Sequence, residues 1–403
     1  ADPTVGGTLV SLPNPHVVPG GRFREAYYWD SYFIAEGLTA AGRHALVDGL
    51  VENLASLIDR FGFVPLGNRV YYDSRSQAPL FYRMLRLLAD ARGVDAVEPY
   101  LRHLEREYEF WMAGAEGLGD GPTADQRVVR TADGHVVNRY WDARATPRPE
   151  SYRMDRELAG RVPIDDRPRL FRDLRAACES GWDFSSRWLR DPDDLATIRT
   201  TDLAPVDCNA FCYGIETALA EWFSAVGKRD RGERYARAAE RRRDAFDDLF
   251  WDPEREFYVD FDWRADEHTD SLVLAGVVPL FTGVAREDRA APVAARLREW
   301  FLEEGGLVTS RYESGQQWDR PSGWAPLQWL AVVGLRRYGH DDLAAEIADR
   351  WTDMVEATFD RTGVVAEKYD VFEGGPSGEL GEYPLQYGFG WTNGVALAMR
   401  ALS

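Results

Sequence analysis

The sequence predicts an all-α protein whose helices close into an (α/α)6 toroid barrel, with a small β-hairpin in a loop insertion. Helical periodicity recurs in about a dozen segments, with apolar residues at i, i+3, i+4 and i+7. Strand signal is confined to one short stretch. No fixed short repeat appears, which favours a closed ring of helix pairs over an open array. At 403 residues the chain exceeds ordinary single-domain length, yet barrels of this size hold together as one unit. We therefore expect one domain over 1–403.

Residues 1–28 read as an irregular lead-in, punctuated by Pro13, Pro15, Pro19, Gly20 and Gly21. Helices are expected at roughly 31–42 and 44–60, the latter on the stripe Leu46, Leu50, Leu54, Leu57 and Ile58. Two more follow at roughly 76–92 and 95–114. Within the loop 115–165, the run RVVRTADGHVVNR places a D-G turn between two alternating segments and reads as a hairpin over 127–139. The remaining helices are expected at roughly 166–178, 207–226, 229–248, 269–282, 286–302, 323–338, 341–358 and 387–402. The loop 359–386 holds Gly374, Gly375, Gly378 and Gly381, whose relaxed backbone suits a lid.

Composition narrows the function. A net charge of −19 argues against nucleic acid and against anionic membranes as partners, since both require a basic patch. Only Lys228 and Lys368 are lysines among the 48 basic residues; both a GC-rich genome and adaptation to high salt would account for that. Cys178, Cys208 and Cys212 form no disulfide framework and lack the spacing of a zinc site, so they read as buried thiols. No apolar run reaches the ~18 residues of a membrane span, and no signal peptide is visible, so a cytoplasmic location is expected.

Acids and arginines cluster with aromatics at five places. PGGRFREAYYWDSY holds Arg22, Trp29 and Asp30, and GNRVYYDSRSQ holds Arg75, Ser76 and Gln77. Arg148, Pro149 and Glu150 make the third, and ESGWDFSSRW, with Gly181 and Asp183, the fourth. The last group joins QWDRPSGWAP, with Gln317, Trp318 and Asp319, to Glu367 in EKYD and to Glu382 and Trp391 in GEYPLQYGFGWTNG. The 14 Trp and 18 Tyr suit stacking on sugar rings, while carboxylates and guanidinium forks suit hydroxyls. Asp183 lies between Trp182 and Phe184, and such apolar crowding can keep a carboxyl protonated, as an acid cleaving an acetal requires. No phosphate loop, dinucleotide fingerprint, nucleophile elbow or metal-binding His pair is present.

Two of these motifs, PGGRF-x-E-x-Y-x-W-D-x-Y and QWD-x-P-x-GW-x-P, resemble the two signature stretches of glycoside hydrolase family 37, the trehalases. The resemblance runs from Pro19 to Gly394. It implies a monomer, and hydrolysis of the disaccharide α,α-trehalose to two glucoses with inversion, without metal or cofactor. It places the general acid at Asp183 and the general base at Glu367. Sugar-binding positions fall on Arg22, Trp29, Asp30, Arg75, Ser76, Gln77, Arg148, Pro149, Glu150, Gly181 and Glu382. Leu66 and Tyr387 depart from the family pattern, which motivates the alternative of a related (α/α)6 glycosidase acting on another α-glucoside. A catalytically silent sugar-binding protein is a third reading, disfavoured because it has no need of both Asp183 and Glu367.

Overall fold

The computed structural model describes residues 7–378 and 380–402. It is mostly helical, and thirteen α-helices are present among the described residues. In chain order they are α1 (Tyr28–Ala40), α2 (His44–Phe61), α3 (Phe81–Arg92), α4 (Leu101–Trp111), α5 (Tyr152–Ala159), α6 (Arg167–Ser180) and α7 (Val206–Ala225). Then come α8 (Arg229–Ala245), α9 (Val278–Thr282), α10 (Glu287–Trp300), α11 (Ala325–Arg337), α12 (Asp341–Thr362) and α13 (Gly390–Arg400).

Two classes of helix follow from their residues. α1, α7 and α11 bury side chains all round, as apolar helices must. α2, α8 and α12 bury one stripe and expose a charged face. Contacts follow a fixed order: α1 packs on α3, α3 on α7, α7 on α9, α9 on α11, α11 on α13, and α13 returns to α1. α2 packs on α1, α8 on α7 and α12 on α11. The α1–α13 seam is very close, because a Cβ on Gly37 would stand 2.3 Å from the Cα of Gly394. One contiguous hydrophobic core runs through these helices.

Most expected helices are found with ends shifted by a few residues. The lead-in contains no helix before Tyr28 among the described residues, and it is tied down by bridges from Leu9 to Arg69 and from Tyr27 to Gly67. The hairpin forms as β2 (Val128–Arg130) and β3 (Val136–Asn138), and β1 (Thr123–Asp125) extends it to three strands. Two expectations are corrected. The loop 115–165 contains α5, whose eight residues are too few to fill the window over which helical periodicity is read. The helix expected over 269–282 is only Val278–Thr282 after a 3-10 turn, since Val273 is extended and bridges Ser310.

One small sheet matters for the site. β4 (Ser322–Gly323), β5 (Tyr369–Asp370) and β6 (Gly375–Pro376) pair antiparallel, with Gly323 opposite Tyr369. Two-residue strands carry no sequence periodicity; this pairing docks the QWDRPSGW segment beside EKYD.

Candidate active site

The segment bearing Asp183 leaves the end of α6 at Gly181, whose φ of +83° is the left-handed cap that glycine takes at least cost. A Cβ there would also meet the Trp29 ring at 2.8 Å. The turn sends Trp182 into the core, where its carbonyl accepts from Trp188 Nε1 at 2.9 Å. Asp183 then faces a cavity of about 230 Å³ and keeps part of its surface open to it. Its carbonyl accepts from Gln317 Nε2 at 2.7 Å, and Trp318 N–H donates to the Phe184 carbonyl at 3.0 Å. Arg187, four residues on from Asp183, pairs with Asp207 and Asp260 instead of Asp183, between the Trp182 and Trp188 rings.

Glu367 reaches the same cavity from the segment preceding β5. Its backbone is held by Gln386, whose carbonyl accepts its N–H at 3.0 Å, and by Trp391 Nε1, which donates to its carbonyl at 2.9 Å. Tyr383 Oη donates to Oε1 at 2.9 Å. Oε2 is buried without a hydrogen-bond partner among the described residues.

Four tryptophans, Trp29, Trp318, Trp324 and Trp391, line the cavity. Trp318 stacks on Trp324 with ring centroids 4.0 Å apart, and Trp182 supports it from behind at 5.4 Å. The opposing rim carries Arg148, which forks onto Asp155 and onto Glu382 at 2.7 Å. Arg22 sits at the mouth, 5.3 Å above the Tyr383 ring.

Six carboxyl groups therefore line one space: Glu25, Asp30, Glu150, Asp183, Glu367 and Glu382. Burial, reinforced by Glu382, pushes Asp183 up to about 7 against the pull of Arg148 and Arg75. Asp30 is raised strongly by burial and by the charges of Glu367 and Asp183. Burial likewise pushes Glu367 up to about 7, although Lys368, Tyr383, the Gln386 backbone and Arg22 all favour its ionised form. Both carboxyls are therefore raised into the neutral range, Asp183 with Glu382 opposing its ionisation and Glu367 with Lys368 and Tyr383 favouring its own.

Of the residues singled out in the sequence, Arg22, Trp29, Asp30, Gln77, Arg148, Glu150, Gly181, Asp183, Trp318, Glu367, Glu382 and Trp391 line the cavity. Others stand behind it. Arg75 is buried and grips Glu150, and Ser76 donates its N–H to Glu179 and its hydroxyl to the Val64 carbonyl. Pro149 is exposed at the start of a 3-10 turn. Gln317 braces the Asp183 backbone from outside the lining. Asp319 corrects its expected place among sugar contacts: it is buried off the cavity and accepts from Ser185, Ser186, Ser310 and Ser314. Leu66 is on the wall, whereas Tyr387 is exposed and off it. Sequence reasoning missed Tyr383, Phe389 and Cys178 on the wall; Tyr383 was signalled only by following Glu382 in GEYP.

Cys178, Cys208 and Cys212 are free and buried. No helix among the described residues is long and apolar enough to cross a membrane.

The Trehalase family model matches residues 4–402. A periplasmic trehalase of Salmonella paratyphi B (strain ATCC BAA-1250 / SPB7) is 48% identical over 392 residues, covering 97% of this chain and 69% of its own. A periplasmic trehalase of Salmonella choleraesuis (strain SC-B67) matches with the same identity and coverage. Among solved structures, neutral trehalase Nth1 from Saccharomyces cerevisiae aligns with a TM-score of 0.78 at 25% identity, over 98% of this chain and 78% of that one. A GH63 mannosylglycerate hydrolase from Thermus thermophilus shares the fold at a TM-score of 0.62 and 20% identity, over 95% of each chain. The naming of the relatives as periplasmic overturns the cytoplasmic expectation. Matched over nearly its whole length, with such relatives at 48% identity, this chain belongs to the trehalase family.

Proposed function

We propose that this cavity cleaves α,α-trehalose with Asp183 as general acid and Glu367 as general base. The protein is a trehalase-family glycoside hydrolase, and hydrolysis to two glucoses with inversion is its reaction. The observation that carries the assignment is the pair of carboxyls in one aromatic pocket: Asp183 partly open to the cavity, and Glu367 buried with one oxygen unpartnered among the described residues. Asp183 gives its proton to the bridging oxygen as the glycosidic bond breaks. Glu367 Oε2 accepts a proton from water, whose oxygen bonds to the anomeric carbon from the opposite face. Trp29, Trp318, Trp324 and Trp391 supply ring faces, and Arg22, Asp30, Gln77, Arg148, Glu150 and Glu382 supply hydroxyl contacts. The six helices in mutual succession, α1, α3, α7, α9, α11 and α13, with α2, α8 and α12 packed on them, support reading the chain as one (α/α)6 barrel domain.

The anomers of fresh product test the mechanism. Water delivered by Glu367 yields β-glucose from the attacked ring, while the leaving ring keeps its bond to the bridging oxygen and emerges as α-glucose. Proton NMR within the first minutes, before mutarotation, should show the two in equal amounts; α-glucose alone would make Glu367 a nucleophile.

The pH dependence follows from the same environments. Asp183 acts protonated, so kcat/KM should fall as pH rises through about 7. Glu367 acts ionised, and burial raises it to about 7 as well, so its protonation sets an acid limb that also falls near neutrality. Initial rates across the acid, neutral and alkaline ranges should trace a narrow bell. A rate that held level well into the alkaline range would exclude Asp183 as the acid.

A further inference from the structure

Lys368 is the unusual basic residue of this chain. Lys228, the other lysine among 48 basic residues, is half-exposed and only 3.6 Å from Glu98. Lys368 is 1% exposed, and no carboxylate among the described residues lies within ion-pair distance of its nitrogen. Its Nζ instead donates to Gln317 Oε1 and to the Leu380 carbonyl, each at 2.9 Å, and lies 5.5 Å from the Trp324 ring centre.

These bonds join three segments. Gln317, having accepted from Lys368, donates through Nε2 to the carbonyl of Asp183 at 2.7 Å. Its own carbonyl accepts from Trp324 Nε1 at 3.1 Å, which fixes it against the aromatic wall. Leu380 belongs to the glycine-rich segment that continues into Glu382 and Tyr383, and Tyr383 returns to Glu367. Lys368 follows Glu367 directly in sequence. One ammonium therefore links the acid's backbone, the base's segment and the loop covering both. A guanidinium fork is planar and longer, and cannot replace a compact tetrahedral donor at that junction.

We propose that Lys368 is a positioning residue for trehalose hydrolysis: through Gln317 it sets Asp183 against Glu367, through Leu380 it holds the Tyr383 loop down, and it places a positive charge beside Glu367. This rests on the acid–base assignment above. The charged and titratable groups facing Glu367 are Arg22 from the lead-in, Asp30 from α1, Asp183 from the segment after α6, Glu382 and Tyr383 from the loop, and Lys368 itself. The cations that favour its ionised form are Lys368 and Arg22, whereas Arg148, also on the cavity wall, pairs with Asp155 and Glu382. Burial holds Lys368 down to about 8, while Glu367 and Asp183 pull the other way.

The test is the pH profile of trehalose hydrolysis for Lys368→Met, Lys368→Arg and Gln317→Met, beside the wild type. Lys368→Met should lose about 10²-fold in kcat, the cost of a small misplacement of reacting groups, with KM changed by about threefold at most. Its acid limb should move up by about one pH unit, because an opposite charge beside Glu367 is gone. Lys368→Arg should restore the limb but not kcat. Gln317→Met should lower kcat and leave the limb in place, because the charge remains. A folded Lys368→Met enzyme with wild-type kcat and acid limb would overturn the proposal; should that variant fail to fold, wild-type kcat in Gln317→Met would do so. If Asp183→Asn or Glu367→Gln stayed active, the acid–base assignment would fall and this role with it. Inactivity of those two beside an unaffected Lys368→Met would remove the positioning role alone.

Discussion

Asp183→Asn and Glu367→Gln should each lower kcat on trehalose by ~10²–10⁴-fold, with little change in KM. Asparagine has no proton to deliver to the bridging oxygen, and glutamine cannot take one from water, yet each keeps the shape and much of the hydrogen bonding of the original. The pocket's aromatic wall and arginines are untouched, so substrate should still bind. Steady-state kinetics with glucose detection decides it. Isothermal calorimetry on the inactive variants should return a trehalose affinity close to the wild-type KM. Near-normal turnover in either variant would remove that residue from the mechanism.

Arg187→Leu should destabilise the fold by about 3–5 kcal/mol, the cost of breaking a buried ionic cluster from one side. The Arg187 guanidinium is fully buried and makes paired bonds of 2.7–2.9 Å to Asp207 at the start of α7 and to Asp260. Its removal leaves two carboxylates uncompensated in the interior. Arg187 also lies between the faces of Trp182 and Trp188, 4.7 and 4.3 Å from their centres, so the turn carrying Asp183 loses its backing. Chemical denaturation should show the loss as a lowered midpoint, and kcat should fall even where the variant stays folded. Wild-type stability would mean that Asp207 and Asp260 find other partners.

Arg187 shows where reading from the sequence stops. Its spacing from Asp183 is visible in ESGWDFSSRW, but its partners are 20 and 73 residues away in the chain, and no local pattern names them. Asp319 is similar: QWD is a recognisable motif, yet whether its carboxylate meets sugar or serine hydroxyls depends on which side of the segment faces the cavity. Arg75 belongs to the same group, since it supports Glu150 from behind the wall. By contrast, the hairpin over 127–139 was legible because a D-G turn and alternation are local signals. α5 and the two-residue strands were not, being too short for a periodic signal.

The sequence by itself determined the helical character of the chain, the order of most of its helices, the family, and the acid–base pair to be tested. All of these depend on local periodicity or on motifs short enough to read in line. Only the tertiary structure decided which motif residues line the cavity and which brace it from behind. It alone put Glu367 Oε2 in the interior without a partner among the described residues, and joined Lys368 to Gln317 and Leu380. The reason is physical: burial and hydrogen-bond partnership are set by segments brought together from across the chain, and a carboxyl's proton affinity depends on that assembled surrounding rather than on its neighbours in sequence.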